Sequence, residues 1–396
     1  MDLHTIREHS FWYWLLAVAL IIGGMMLGHF FHEEHIWIKG RYLAYRALDW
    51  ASPNPREPKH TVLVLIEDDE YWKGKPARRV PIRRDYLASV VKALDRCEAS
   101  VIALDFNLGS PTRDGSLVEN PEYAEETSLL VATLLEISER RPVVLPAIIG
   151  HARPEDPFTL LPSVYGDLPF AKGKLQRGYL NFPFDVRQIP TPQPLVIGGK
   201  LDSFAVSIVR ARHENVLKGT EESNVLPFGT FIEKPFPTIS TKDVLKGVCG
   251  AIPSKIAIVG SDWNERAFGA GGLVDRHPTP LGEITGVRVH ANYVEALIDG
   301  NTRKPLPGIA GYIIEFLVLV TFAIFVAIRT NRFYHKMLVV TLGCLVLIFI
   351  SYVAWQNIGY YFDFFIPVVF LLFHAFFDYF MEIHKEARAF RKLEHQ

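Results

Sequence analysis

The sequence predicts an α/β domain, a mostly parallel sheet flanked by helices, joined to a helical membrane region with one N-terminal and three C-terminal helices. Three observations carry this. Four runs of the 396-residue chain have membrane length and few ionisable residues. Between the first and second runs, apolar strand-like stretches alternate with helical stripes, the order that builds layered α/β folds. The first of these stretches, Thr61–Ile66, is apolar almost throughout, as in a strand covered on both faces.

Phe11–Phe31 is a 21-residue run whose only ionisable group is His29. It is too long for the core of a signal peptide, and no Ala-x-Ala-like cleavage site follows it, so it reads as an uncleaved anchor. Ile309–Ile328 carries one charge, Glu315; Met337–Trp355 carries none; Tyr360–Phe380 is apolar apart from Asp363, His374 and Asp378. Arg329, Arg332 and Lys336 separate the second and third runs, and Lys385, Arg388, Arg391 and Lys392 follow the fourth. The connection Gln356–Gly359 has no Lys or Arg. Positive charge stays inside, so both termini are expected in the cytoplasm and the large segment outside. The expected divisions are 1–31 for the tip and first helix, 32–306 for the outer domain, 307–380 for three helices and 381–396 for a basic tail.

Within the outer domain, Lys39–Arg46 extends the first helix, and Pro53, Pro55 and Pro58 make a linker that no helix crosses. Thr61–Ile66 is the first strand and ends in Glu67-Asp68-Asp69-Glu70. A helix opening at Pro81–Asp85 shows the stripe Tyr86, Leu87, Val90, Val91, Leu94 and Cys97. Ser100–Leu104 is a strand ending at Asp105, Glu122–Ser138 a helix, Pro142–Ile149 a strand, Gly178–Phe184 a short strand and Phe204–His213 a helix.

The stretch Ser254–Gly300 organises the rest. Lys255–Gly260 returns to the sheet. A loop stiffened by Pro278 and Pro280 carries Asp275, Arg276, His277 and Thr279. His290 then opens a helix with apolar residues at Ala291, Val294, Leu297 and Ile298, stopped by Gly300. The first of the three closely spaced apolar runs begins nine residues later.

A formal net charge of −1 and no basic stripe in the large domain give no argument for nucleic acid, and no such partner is expected. Gly269-Ala-Gly271-Gly272 lacks the Lys-Ser/Thr and helix of a phosphate loop. No zinc spacing occurs, and no metal or cofactor is expected, although clustered carboxylates could hold a divalent ion. Cys97 and Cys249 fall in the outer domain, where an oxidising compartment allows a disulfide. Two buried free thiols are the favoured reading.

Several residues in order resemble the CHASE2 domains, extracytoplasmic sensory modules of bacterial signalling proteins. They are Asp68-Asp69, Pro81-x-x-Arg84, Asp105-Phe106, Gly178-x-x-Asn181 leading to Asp185, Ile258-Val-Gly260, Asp275, Thr279-Pro280, Gly286-Val287 and His290-Ala291-Asn292. The resemblance covers roughly 42–380 and implies a multi-pass protein of the bacterial inner membrane. Tyr71 stands where that family often has a small hydroxyl residue, so contacts after the first strand are expected to differ. Such receptors usually carry a cyclase or kinase output after the last helix. The 16 residues after Phe380 are too few for one, which implies a separate output protein.

Asp68, Asp105 and Asp275 are expected to gather at one sheet edge, where α/β folds place ligands, with Arg84 pairing one of them or holding an anion. The candidate ligand-binding set is Asp68, Asp69, Arg84, Asp105, Asp275, Thr279, His290 and Asn292; the competing reading is a network that pins loops. Glu315, His374 and Asp378 are candidate intramembrane polar groups. No catalytic residue is assigned, because no nucleophile turn of the Gly-x-Ser-x-Gly kind occurs. The expected function is a membrane-anchored sensor that binds a small molecule or periplasmic protein outside and signals to a separate output protein or membrane-complex subunit. The basic tail suits lipid contact, and a homo-oligomer is left open. The alternatives are a scaffold subunit of a membrane complex and a periplasmic hydrolase using Asp68, Asp105, Asp275 and His290.

Overall fold

The structure is a computed structural model that describes residues 35–51, 56–76, 82–106, 121–150, 158–170, 174–190, 193–212, 228–263, 275–305 and 333–361, with short gaps inside some ranges and isolated positions elsewhere. The run Phe11–Phe31, the residues Glu315, His374 and Asp378, the loop 269–272 and most of the basic tail lie outside the described residues. The runs Ile309–Ile328 and Tyr360–Phe380 are described only in part. The chain forms two compact units, Pro53–Thr302 and Met1–Ser52 with Arg303–Gln396.

The unit Pro53–Thr302 is built on strands β1 (Thr61–Ile66), β2 (Val101–Leu104), β3 (Val143–Ala147), β4 (Leu175–Tyr179), β5 (Thr238–Ser240) and β6 (Ile256–Ser261). They form one sheet in the order β5-β1-β6-β2-β3-β4, with every pairing parallel. Strands β7 (Arg276–Thr279) and β8 (Gly282–Thr285) make a separate antiparallel hairpin. The helices are α1 (His35–Trp50), α2 (Asp68–Lys73), α3 (Arg84–Arg96), α4 (Pro121–Ser138), α5 (Phe204–Arg212), α6 (Thr241–Leu245), α7 (Gly286–Ile298) and α8 (Phe333–Val353).

Alternate residues of a strand face opposite sides, and both sides of this sheet are covered. Val62, Val64, Ile102, Leu104, Val143, Leu145, Ala257 and Val259 share one core with Leu87, Val91 and Leu94 of α3, Leu130 and Leu134 of α4 and Val244 of α6. Full burial of such a side chain is worth about 1.5–3 kcal/mol. Helices α5 and α7 take the other face, and two glycines set their approach. A Cβ on Gly178 of β4 would lie 2.6 Å from the Cα of Phe204, and one on Gly260 of β6 would lie 2.6 Å from the Cβ of Val287.

Four expectations within the outer domain are corrected. The segment expected as a stiff loop is the β7–β8 hairpin: Thr279 Oγ1 donates to the Gly282 carbonyl (2.7 Å) and accepts from the Leu281 amide (3.1 Å), closing the turn from within. Helix α7 begins at Gly286, so His290 sits in its second turn and does not open it. The strand expected at Gly178–Phe184 lies at Leu175–Tyr179, in register with β3 from Val143↔Leu175 to Ala147↔Tyr179. Just past it, Asn181 imitates a strand residue, accepting from the Ile149 amide (3.0 Å) and donating to the Ile149 carbonyl (2.9 Å).

The fourth correction concerns the cysteines: Cys97 and Cys249 are bonded, not free. Helix α3 delivers Cys97 at its C-cap, and the turn after α6 brings Cys249 to the same face of the sheet. The bond closes a loop with a sequence separation of 152. Reduction is expected to cost this unit about 2–4 kcal/mol through the freed unfolded chain. A thermal-shift measurement with and without a membrane-permeant reductant checks this, and Cys97→Ser should behave like the reduced protein.

In the other unit, α8 passes into a π-helical turn, Ala354–Ile358, that ends at Gly359 in the left-handed region (φ 73°). The helical span therefore runs past the expected end at Trp355, because Gly359 is the first residue suited to the terminating conformation. Among the described residues, Met337–Ile358 is the one helix long and apolar enough to cross a membrane, with a mean hydropathy of 2.6. Helix α1 meets the C-terminal end of this span. The Tyr45 and Trp355 rings pack edge-on at 5.0 Å, and the Tyr352 hydroxyl donates to the Ala51 carbonyl (3.1 Å).

Candidate functional site

The carboxyl end of β2 delivers Asp105, whose amide donates to the Val259 carbonyl of neighbouring β6 (2.8 Å). Its side chain is 7% exposed and lies 4.0 Å from Nε2 of His290, itself 3% exposed. Asp275 stands at the start of the hairpin and pairs with His277 Nε2 at 2.5 Å. Phe182 ties the two histidines together: its ring lies 4.3 Å from that of His277 and 4.5 Å from that of His290. Phe204 of α5 closes the His290 ring from the side at 5.0 Å.

Gly286 makes this arrangement possible. A Cβ there would fall 2.0 Å from Oδ2 of Asp275, so only glycine lets the carboxylate rest on the first turn of α7. The Gly286 amide also donates to the Asp275 carbonyl (2.9 Å). Negative charge is favoured at that helix end.

The electrostatics split the four groups. Burial, reinforced by the charge of Asp275, raises the pKa of Asp105 well above the usual carboxylate range. Burial lowers that of His290 to about 3, against the pull of Asp275. Desolvation works against Asp275 too, but the His277 hydrogen bond, the two imidazoles and the Gly286 amide outweigh it and hold its pKa below the usual range. Burial thus favours the neutral form of both Asp105 and His290, while Asp275 at the rim is favoured in its charged form. Among the described residues the Nδ1 of His290 is buried without a hydrogen-bond partner, a cost in stability for a buried polar atom.

The other candidates have contacts of their own. Asp68 and Asp69 open α2 and are exposed, and Asp69 pairs with Lys73 (2.9 Å). Arg84 is fully buried, but its guanidinium meets the Thr127 hydroxyl and the Tyr123 ring of α4, while its amide donates to Glu126 (3.0 Å). Thr279 closes its hairpin turn. Asn292 accepts from the Ile232 amide (2.7 Å) and donates to the Arg288 carbonyl (2.8 Å), pinning a loop to α7. Asp68 follows β1 and Asp105 follows β2, so both stand at the carboxyl edge of the parallel sheet, the edge that the sequence suggests. β1 runs straight into α2, whose first turn faces solvent, and α3 turns Arg84 toward α4.

Two contributors were missed in the sequence. Phe182 follows Asn181 directly, so the clamp that ends β4 also aims the ring at both histidines. Glu295 is 1% exposed and accepts from the amides of Lys59 (3.1 Å), His60 (2.8 Å) and Thr61 (2.8 Å) and from the Thr61 hydroxyl (2.7 Å). With His60 and Asp299 it has metal-ligand spacing. Those four donors occupy its oxygens, which makes it a clamp for the entry into β1.

A family model described as CHASE2 domain matches residues 16–328, most of the chain. The chain belongs to the CHASE2 family. CHASE2 domains are extracytoplasmic sensory domains of membrane proteins, not catalytic ones. No curated protein and no solved structure matches the chain. In this CHASE2 domain Tyr71 is buried and stacks on Trp263, with ring centroids 4.1 Å apart and planes 8° from parallel. Phe106 lies 6.3 Å beyond. A small hydroxyl residue could not fill that aromatic contact, so the edge beside Asp105 is shaped by an aromatic wall.

A folded-state pKa raised above the unfolded value gives stability that is complete below the unfolded pKa and lost as pH rises through the folded one. Asp105→Asn mimics the neutral acid, so it should remove this loss and equal or exceed the wild type at neutral and alkaline pH. His290 acts oppositely: its contribution is complete above about 6.5 and drains away as pH falls toward about 3. Unfolding followed across pH checks both, and an unchanged slope in the Asn variant would show that Asp105 is ionised in the folded protein.

Proposed function

We propose that the chain is a multi-pass sensor of the bacterial inner membrane. Its outer domain binds a small molecule or a periplasmic protein at the carboxyl edge of the sheet. The attached helices transmit the change to a separate membrane or cytoplasmic partner by shifting conformational populations. The observation that carries the reading is the buried Asp105–His290 pair beside the Asp275–His277 pair, set where parallel sheets present ligand sites. A neutral acid and imidazole there can each change partner or charge when a ligand arrives. The depressed His290 pKa favours this over hydrolysis, since a general base works best near the ambient pH.

The contact between α1 and the end of α8 supports the topology. Charge asymmetry puts the C-terminal end of that span outside, and α1 follows the first run on the same side. Accordingly, Glu139→Cys, at an exposed position after α4, should react in intact spheroplasts with a membrane-impermeant maleimide. Asn331→Cys should react only after the membrane is opened. The reverse pattern would end the extracytoplasmic reading, and equal labelling of both would end the topology.

A further inference from the structure

Strand β4 lies at one edge of the sheet, and a cleft of about 500 Å³ opens beside it. Its lining includes Phe170, Gln176, Arg177, Lys200, Asp202 and Arg210. Three of these are cations and one is a carboxylate, which leaves two positive charges in excess. Asp202 is engaged with Arg210 at 2.5 Å, which orients that guanidinium. Arg177 is half-buried and lies with its guanidinium carbon 4.8 Å from the centre of the Phe170 ring. Among the described residues its guanidinium makes no hydrogen bond or ion pair, and burial pushes its pKa down. The Ser207 hydroxyl is turned to the Arg177 carbonyl (3.0 Å), tying α5 to the strand that carries the arginine.

A guanidinium with one face on an aromatic ring keeps its N–H edge for a planar, bidentate acceptor. The cleft volume suits a small molecule rather than a protein segment. We propose that this cleft binds a small dianion bearing carboxylate or phosphate groups, with Arg177 as the principal contact and Lys200 and Arg210 as flanking cations. The proposal goes beyond the sensory reading, which rests on the Asp105–His290 cluster and the topology, and its failure would leave both of those standing.

Succinate and inorganic phosphate serve as probes on the full chain in detergent micelles, by thermal shift and calorimetry against chloride at matched ionic strength. At least one should raise the melting temperature and give measurable heat. Succinate alone would identify a carboxylate site, phosphate alone a phosphate site, and both together a general dianion site. Arg177→Gln should weaken binding by about tenfold or more, the worth of a charged hydrogen bond. Lys200→Gln should weaken it less, and Lys242→Gln, exposed on α6, should leave it unchanged. Lys200 is exposed, so its variant carries the test if Arg177→Gln fails to fold. Absence of binding by both probes, or binding unaffected by the cleft substitutions, would overturn the proposal.

Discussion

Glu295→Ala is expected to destabilise the outer unit by about 3–5 kcal/mol, because it strands several buried donors at once. Three consecutive amides, Lys59 to Thr61, and the Thr61 hydroxyl all converge on this carboxylate. Thr61 is fully buried, so water cannot replace the lost acceptor there. The clamp joins the entry of β1 to the last turns of α7, two segments more than 230 residues apart in the chain. Glu295→Gln keeps one acceptor oxygen but turns an amide donor toward the same N–H groups, so an intermediate loss is expected. Pulse proteolysis of both variants checks the order. If Ala and Gln variants matched the wild type, the carboxylate would have no part in holding β1 to α7.

Gly178→Ala should be nearly as damaging, at about 3 kcal/mol, the upper part of the range for overpacked cores. The added methyl would meet backbone atoms, with Phe204 Cα at 2.6 Å and Phe204 N at 2.8 Å, and the Ser207 Oγ at 2.7 Å. A side chain could swing aside, but a helix backbone must move as a body. Because Phe204 also packs on His290, displacement of α5 should disturb the buried cluster as well. The expected result is a lowered melting temperature together with a changed pH dependence. A fall in stability with the wild-type pH profile would separate the packing of α5 from the state of His290.

Much of the architecture was legible because its signals are local. Thr61–Ile66 is a strand at the residues its apolar run marks, and the stripe Tyr86, Leu87, Val90, Val91, Leu94 and Cys97 is buried throughout. Alternation of such strands with helices was enough for a parallel sheet, since consecutive parallel strands need a crossover between them. The hairpin at 276–285 was misread because prolines at 278 and 280 argue against a central strand. They are tolerated in a two-stranded ribbon whose turn is held by the Thr279 side chain. The helix start at Gly286 was missed for a related reason. Glycine is a poor helix former, and its presence there answers to the Asp275 carboxylate rather than to propensity.

The site divides along the same line. The sequence by itself determined the membrane-length runs, the α/β class, the family-like order of motifs and the placement of Asp105 at a strand end, all of which depend on near neighbours. It could not determine which motif residues share a site. Asp68, Arg84 and Asp105 each follow a strand or open a helix, and it is Asp105 that lies 4.0 Å from His290. That choice depends on which way each helix turns after leaving the sheet. Nor could it separate a binding residue from a clamp, since Asn181, Asn292 and Glu295 look as polar as Asp275 until their backbone partners are seen. The pairing of Cys97 with Cys249, the closeness permitted by Gly178, Gly260 and Gly286, and the burial that shifts Asp105 and His290 toward their neutral forms were decided only by the tertiary structure. Each arises from atoms far apart in the chain that packing brings within a few ångströms and shields from water.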